Sequence, residues 1–190
     1  YLPKLLAMDF DSAVQGSMFM TEQAAGSDIS NTLTMAYPQE DGSWRLYGEK
    51  WFCSNPDAGF GMVLARVEGG PPGMKGISLF LLPRILDDGS TNHYRIIRLK
   101  DKLGTKSMAS GEIRMDGAVA YLVGEQGRGF VQIADMVNNS RLSNGMRSAG
   151  MMRRAVAEAE YIARERWAFK HRLQDLPLMH VQLDKLRVPA

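Results

Sequence analysis

The sequence predicts an α+β fold, in which an antiparallel β-barrel or β-sandwich is followed by the first helices of an α-helical bundle. Between residues 16 and 124, seven or eight short apolar runs are separated by turn-forming residues, as in antiparallel sheets. From about Gly127, apolar residues recur at steps of three and four, the period of an amphipathic helix. These patterns predict a β domain over residues 16–125 and the start of a helical bundle over residues 126–190. Residues 1–15 are interpreted as the tail of a preceding helical domain.

The predicted strands are short and closely spaced. A first apolar run, residues 17–20, ends at Thr21 and opens into a turn of small residues. Segments rich in glycine, proline and aspartate separate the later runs and favour turns at the surface. The later predicted strands are residues 32–36, 44–47, 51–54, 62–67, 77–82, 94–99 and 112–115.

The helical pattern contains no proline between residues 127 and 176, and it predicts a helix from about residue 128 to 166. At ~1.5 Å per residue this helix would be about 58 Å long, so it must pack against other helices. A second helix is predicted over residues 178–188, with Pro177 in its first turn.

Composition favours a globular protein and excludes several kinds of site. Apolar residues make up 45% of the chain, and no apolar stretch approaches the ~18–20 residues of a membrane span. A single cysteine, Cys53, excludes an internal disulfide bond, and the spacing of His93, His171 and His180 is not that of metal ligands, so we predict no metal site. Because no secretory signal and no initiator Met are present, we expect a cytoplasmic protein and interpret the chain as a fragment.

The net charge of +2 is distributed unevenly along the chain. Residues 1–140 carry 13 Lys and Arg against 16 Asp and Glu, whereas residues 141–190 carry 10 against 5. A basic helical end can meet the phosphates of a nucleotide, a coenzyme or a nucleic acid. The alternative is an ordinary solvated face, and the sequence leaves both open.

Two predicted strand ends carry the residues of a candidate binding site. The first ends in Thr21-Glu22 and a turn closed by Gly26-Ser27-Asp28, and the second runs from Gly48 to Asn55 with two aromatic residues. Strand ends of this kind leave backbone N–H groups and hydroxyls unpaired. Together they could hold a flat heteroaromatic cofactor with a phosphate tail. The alternative is two ordinary sheet edges with N-capping Ser and Asp residues.

These strand ends resemble signatures of the acyl-CoA dehydrogenase family. The first resembles its TE-x-x-x-GSD motif, and Gly48-x-Lys50-x-Phe52-Cys53-Ser54-Asn55 resembles its G-x-K-x-[WF]-I-[TS]-N motif. Three further signatures follow in the family's order, and several segments are most similar to the branch that contains the bacterial alkylation-response flavoprotein. These signatures are Lys102-Leu103-Gly104 with Ser107, Gly124-x-x-Gly127-x-Gly129, and Arg166-Trp167-Ala168-Phe169.

The resemblance implies an FAD-dependent enzyme that oxidises an acyl-CoA thioester between Cα and Cβ and passes the electrons to an electron-accepting flavoprotein or another acceptor. It implies that Thr21 bonds the pyrimidine end of the flavin, that Phe52 flanks the rings and that Ser54 addresses N5. Ser27 would meet the pyrophosphate or the CoA arm, and Arg141 would bind substrate. Residues of the last motif would reach the FAD of a neighbouring subunit, which implies a dimer or tetramer. The implied FAD-binding residues are Met18, Met20, Thr21, Gly26, Ser27, Phe52, Cys53, Ser54, Arg166 and Phe169.

Several positions depart from the family pattern. Phe52 stands where many members have Trp and Ser54 where they have Thr, which preserves the physical roles, but Lys170 replaces the usual Gly. Ser140 precedes Arg141, where some members place the catalytic Glu, so no catalytic base is assigned.

Two other functions remain open from the sequence. A flavoprotein of the alkylation-response branch would bind FAD and double-stranded DNA, with weak or vestigial dehydrogenase activity. A structural β-barrel module would bind no cofactor. The basic segment 141–190 does not distinguish DNA binding from acyl-CoA oxidation, because the phosphates of CoA and FAD also attract arginines.

Overall fold

The computed structural model describes residues 1–189. The chain divides into two compact units, Tyr1–Ala134 and Asp135–Ala190, and each is described by itself. The domain boundary between residues 125 and 126 remains a prediction. The helices are α1 (Leu2–Leu5), α2 (Gly129–Glu165) and α3 (Pro177–Arg187), besides three short 3₁₀ helices. The strands are β1 (Gly16–Phe19), β2 (Met35–Pro38), β3 (Trp44–Ser54), β4 (Phe60–Val67), β5 (Ile77–Pro83), β6 (Tyr94–Leu99), β7 (Ser110–Val123), β8 (Trp167–Ala168) and β9 (His171–Arg172).

Five strands close a barrel in the first unit. β4 pairs with β2, β2 with β3, β3 with β7 and β7 with β5, and β5 returns to β4. β1 adds to β4 and β6 adds to β7 outside this ring. The predicted α+β class with a β-barrel is therefore confirmed. The sheet is mixed and not purely antiparallel, because β1 and β2 each run parallel to β4 after connections long enough for a crossover.

The core of the barrel consists of apolar side chains fully removed from solvent. β4 and β5 are buried along almost their whole length, which explains their continuous apolar runs. Each fully buried Leu or Phe side chain contributes about 1.5–3 kcal/mol relative to exposure. The larger core residues include Phe19, Leu46, Val63, Phe80, Leu82, Ile113 and Met115.

β3 joins two predicted strands into one. Residues 44–47 and 51–54 belong to a single strand that passes through Gly48 with a φ of 142°. A Cβ atom at Gly48 would lie 2.8 Å from the Cα of Thr34, so only glycine allows this approach. The predicted strand 112–115 is likewise part of the longer β7, near its start, and β7 pairs with β3, β5 and β6.

The helical unit contains most of α2, followed by a short hairpin and α3. The two helices agree with the predicted ranges to within one residue at each end. The β8–β9 hairpin between them was missed from the sequence. No helix in residues 1–189 has the length and apolar character that crossing a bilayer requires.

Lys170→Gly is expected to stabilise this hairpin. Phe169 and Lys170 form its two-residue turn with φ angles of 51° and 68°. This left-handed conformation costs a residue with a side chain roughly 1–2 kcal/mol, which glycine avoids. We expect a melting temperature higher by about 2–8 °C in a thermal unfolding scan. Lys170→Ala keeps the conformational cost and should give no gain, so an equal rise for both variants would contradict the prediction.

Candidate functional site

The two predicted strand ends lie side by side in the barrel unit. Met20 and Thr21 follow β1, and the backbone N–H of Trp51 in β3 donates a hydrogen bond of 2.8 Å to the carbonyl of Thr21. This bond brings the first group of predicted residues next to the β3 segment that carries Phe52 and Ser54. We call this meeting point the strand junction.

A buried ion pair joins the same two segments. Lys50 is 1% exposed and Glu22 is 5% exposed. The Nζ atom of Lys50 lies 2.7 Å from Oε1 of Glu22 and also donates to the carbonyl of Met20 at 3.2 Å. Because removing one partner of such a pair costs roughly 3–5 kcal/mol, the pair holds the end of β1 firmly against β3.

The Glu22 carboxylate also fixes the entry to β2. It accepts hydrogen bonds from the backbone N–H of Leu33 at 2.6 Å and from the N–H and hydroxyl of Thr34 at 3.1 and 2.6 Å. Burial would raise the pKa of Glu22, but the charge of Lys50 and these bonds bring the pKa below its ordinary value. Burial lowers the pKa of Lys50, and the charge of Glu22 opposes this.

Sequence reasoning missed this pair. Glu22 and Lys50 each stand in one of the two motifs, but no role was assigned to either. The sequence signal that could have indicated the ion pair is the presence of an acidic residue in the first motif and a lysine in the second.

A β-bulge separates Lys50 from Cys53 in β3. Over this interval β3 advances three residues while the paired strand β7 advances two. Because of the extra residue, Lys50 and Cys53 both face the core, while Phe52 and Ser54 face outward. Phe52 is 57% exposed, so its ring can meet a ligand.

The burial of Cys53 limits its predicted role. Its side chain is fully buried, and burial raises the pKa of its thiol to about 12. The thiol can therefore neither touch a cofactor nor act as a thiolate at neutral pH. Only the backbone of Cys53 is kept in the proposed site.

The turn after Thr21 presents small residues to solvent. Gly26 and Ser27 are exposed, and a Cβ atom added to Gly26 would meet no atom within 4 Å. Asp28 is a cap: its carboxylate accepts a 3.0 Å hydrogen bond from the N–H of Ser30 at the start of a 3₁₀ helix. Ordinary capping thus accounts for Asp28 and leaves Gly26 and Ser27 available to a ligand.

The strand junction offers hydroxyls without intramolecular partners. Within residues 1–189, the hydroxyls of Thr21, Ser27 and Ser54 form no hydrogen bond. Ser54 also lies two residues beyond the exposed ring of Phe52. An exposed aromatic ring can pack against a planar heteroaromatic group, and hydroxyls without intramolecular partners can hydrogen-bond its heteroatoms or a phosphate tail.

The other predicted residues lie in the helical unit. Arg141 is exposed on α2, where its Nη1 is 3.5 Å from the side-chain oxygen of Asn138. Arg166 is exposed at the end of α2, and Phe169 is 86% exposed in the hairpin turn. Among the described residues, no group of His, Cys, Asp and Glu is arranged to hold a metal ion.

Comparison with known proteins matches two family models. The model described as "Acyl-CoA dehydrogenase, middle domain" matches residues 17–118, and "Acyl-CoA dehydrogenase, C-terminal domain" matches residues 127–190. The chain is 41% identical over 169 residues to "Putative acyl-CoA dehydrogenase AidB" of Escherichia coli K12, an alignment that covers 89% of this chain and 30% of that protein.

The chain is also similar, in sequence and in structure, to an acyl-CoA dehydrogenase relative from Caenorhabditis elegans. The chain is 36% identical over 190 residues to "Acyl-CoA dehydrogenase family member 11", covering 97% of this chain and 31% of the relative. The crystal structure of ACDH-11 in complex with C11-CoA matches with a TM-score of 0.89 at 36% identity, over 98% of this chain and 32% of that one. The chain thus spans about a third of the length of these relatives. The predicted resemblance, including its branch, is confirmed.

Glu22→Gln is expected to lower the free energy of unfolding by roughly 3–5 kcal/mol, because the buried Lys50 ammonium loses its counter-charge. Urea unfolding at pH 7 measures this change. Glu49→Gln is the matched control: Glu49 adjoins Lys50, but its pair with Arg114 is exposed, so the expected cost is below about 1 kcal/mol. Equal costs for the two variants would contradict the role of the pair.

The Glu22→Gln variant also tests how the stability contributed by the Glu22–Lys50 pair depends on pH. Because the folded pKa of Glu22 lies below its unfolded value, its contribution is present above the unfolded pKa, about 4.3, and is lost as the pH falls. The stability gap between wild type and Glu22→Gln should therefore narrow below about pH 4. A gap that stays constant with pH would argue against an ionised Glu22.

Proposed function

Because the chain belongs to the acyl-CoA dehydrogenase family, we propose that the protein catalyses FAD-dependent α,β-dehydrogenation of an acyl-CoA thioester. The electrons would pass to a separate acceptor, such as an electron-transferring flavoprotein. The family's homologues are oxidoreductases and FAD flavoproteins. The observation that supports the proposal most is the strand junction, where a backbone hydrogen bond from Trp51 joins Thr21 to the β3 segment that carries the exposed ring of Phe52 and the hydroxyl of Ser54.

The proposal gives each residue of the strand junction a task. Bound FAD supplies a two-electron acceptor, and the protein positions and tunes it. Thr21 would hydrogen-bond the pyrimidine end of the flavin, Phe52 would cover a ring face and Ser54 would donate at the N5 edge. The half-buried Met18 and Met20 would add apolar contacts.

The phosphate-bearing parts would lie at the turn that contains Gly26 and Ser27. Gly26 leaves room for close approach, and Ser27 offers a hydroxyl to the pyrophosphate or to the CoA arm. Arg141 would add a cation for CoA. Arg166 and Phe169 would reach the FAD of a second subunit in a dimer or tetramer.

The base that removes the Cα proton is not assigned. Ser140 has no carboxylate, and Asn138 and Asn139 precede it. A base is identified by its geometry to the proton that it removes, so the proposal stops at the class of substrate. A cytoplasmic location is part of the proposal, because the only cysteine is an unpaired, buried thiol.

A second candidate function is binding of double-stranded DNA, as in the alkylation-response branch, with weak or vestigial dehydrogenase activity. The observation that favours it is that α2 carries several exposed arginines, among them Arg147, Arg153, Arg154 and Arg164. Exposed arginines attract any polyphosphate, so DNA and coenzyme must be compared directly.

The purified protein is expected to bind FAD non-covalently and to appear yellow. Under anaerobic conditions, a panel of acyl-CoAs should bleach the flavin absorbance. Protein that takes up no FAD on dialysis would contradict the proposal. Slow bleaching by every acyl-CoA, together with DNA affinity that falls steeply with salt, would favour the second function, and fast bleaching without DNA binding at low salt would eliminate it.

Ser54→Ala is expected to weaken FAD binding by about 0.5–1.5 kcal/mol, the net value of one hydrogen bond, and to lower the flavin's reduction potential. The potential falls because the lost donor favoured electron density at N5. Spectroelectrochemical titration and equilibrium dialysis measure the two quantities. Ser90→Ala removes an exposed hydroxyl in the turn between β5 and β6 and should leave both unchanged. An unchanged potential with a lower melting temperature would make Ser54 structural.

A further inference from the structure

Lys100, one residue beyond β6, is held between two aromatic rings. Its side chain is only 12% exposed. Its Nζ atom lies 3.3 Å from the centroid of the Trp51 ring and 4.4 Å from that of Phe52. The two rings stand nearly perpendicular, at 86° and 6.4 Å between centroids. The ammonium therefore contacts both residues of the β3 bulge.

A buried carboxylate completes this arrangement. Oε1 of Glu112 in β7 accepts a 2.7 Å hydrogen bond from Lys100 and a 2.9 Å bond from Nε of Arg98. The bond from Lys100, with the one from Arg98, lowers the pKa of Glu112 below its ordinary value despite burial, so the carboxylate is ionised at neutral pH. Arg98, Lys100 and Glu112, which we call the Lys100 cluster, carry one net positive charge.

The bulge explains why such a cluster is needed. Within a regular strand, pairing with the neighbour fixes the face to which each side chain points. At a bulge, two residues lie opposite one partner, and the ladder no longer sets their directions. Trp51 and Phe52 occupy this interval, so a cation bound to both ring faces supplies the missing orientation.

We propose that Lys100 is a positioning residue for the cofactor site, which orients the Phe52 ring and places the net positive charge of its cluster beside the bound flavin. This inference rests on the proposed function, in which Phe52 covers the flavin. The positive charge favours the form of the cofactor that has gained electrons and so raises its reduction potential. Glu112 reduces this effect while it holds Lys100 in place.

The sign of the potential shift tests the proposal. Lys100→Met removes the positive charge and should shift the flavin midpoint potential to more negative values, whereas Glu112→Gln removes a negative charge and should shift it to more positive values. Lys100→Met should also weaken the near-UV circular dichroism of the aromatic residues and raise the Kd for FAD about tenfold, which corresponds to ~1.4 kcal/mol. Lys100→Arg keeps a cation over the rings and should retain most of the wild-type potential and affinity.

A second cation–aromatic–carboxylate group in the same barrel provides matched controls. The guanidinium of Arg84 lies 4.7 Å from the ring centroid of Tyr94, and its Nε is 2.9 Å from Oδ1 of Asp57. Arg84→Met and Asp57→Asn repeat the two charge changes at a group whose cation lies on Tyr94 rather than on Trp51 and Phe52, so they should shift the flavin potential less than Lys100→Met and Glu112→Gln do, even where they lower stability.

Shifts of the same sign for Lys100→Met and Glu112→Gln, or no shift for either, would overturn the inference and make the cluster purely structural. Unchanged near-UV dichroism and FAD affinity in Lys100→Met would overturn the positioning role. A wild-type protein that binds no FAD would overturn the proposed function together with this inference. If the wild type binds FAD normally but neither Lys100→Met nor Glu112→Gln shifts the flavin potential, only this inference is overturned and the proposed function stands.

Discussion

The ion pair between Glu22 and Lys50 is the constraint on which the candidate site depends. A lysine with almost no exposed surface stays charged only where the fold supplies a carboxylate and further acceptors. The carboxylate of Glu22 is itself shared with the N–H groups of Leu33 and Thr34. One buried acid therefore ties the end of β1, the entry of β2 and the middle of β3 together, and the partner-free hydroxyls lie around the point where these segments meet.

The inward direction of Lys50 has consequences along β3. Strict alternation would turn Phe52 and Ser54 inward as well, and the bulge after Lys50 prevents this by adding one residue. Two residues before Lys50, Gly48 allows the backbone of Thr34 to approach, which brings the Thr34 hydroxyl within 2.6 Å of Glu22. Gly48, Lys50 and Ser54 of this motif are therefore structurally linked: Gly48 admits Thr34, Lys50 pairs with Glu22, and the bulge after Lys50 turns Ser54 outward.

The sequence predicted what depends on local pattern. The ends of α2 and α3 came within one residue because their apolar period is long and uninterrupted, and the barrel strands followed from apolar runs between turns. The ion pair joins residues 28 positions apart, and the parallel pairing of β1 with β4 joins residues 44 apart, so neither leaves a local signal. Cys53 was grouped with the FAD-binding residues because a motif gives positions but not the direction of each side chain. The β8–β9 hairpin was missed because Phe169 and Lys170 occupy its turn without glycine or asparagine.

The Glu22–Lys50 pair and the Lys100 cluster have different electrostatic roles, because their net charges differ. The opposite charges of Glu22 and Lys50 cancel, so this almost fully buried pair produces little electric field around it. Its role is to hold the strands in position. The Lys100 cluster has two cations for one carboxylate, and Arg98 remains largely exposed, so it retains a field at the surface. That field acts where the bulge turns Phe52 and Ser54 outward. A site that must bind an electron acceptor benefits from this division, since a neutral buried pair can hold the strands without opposing the charge that the bound group gains.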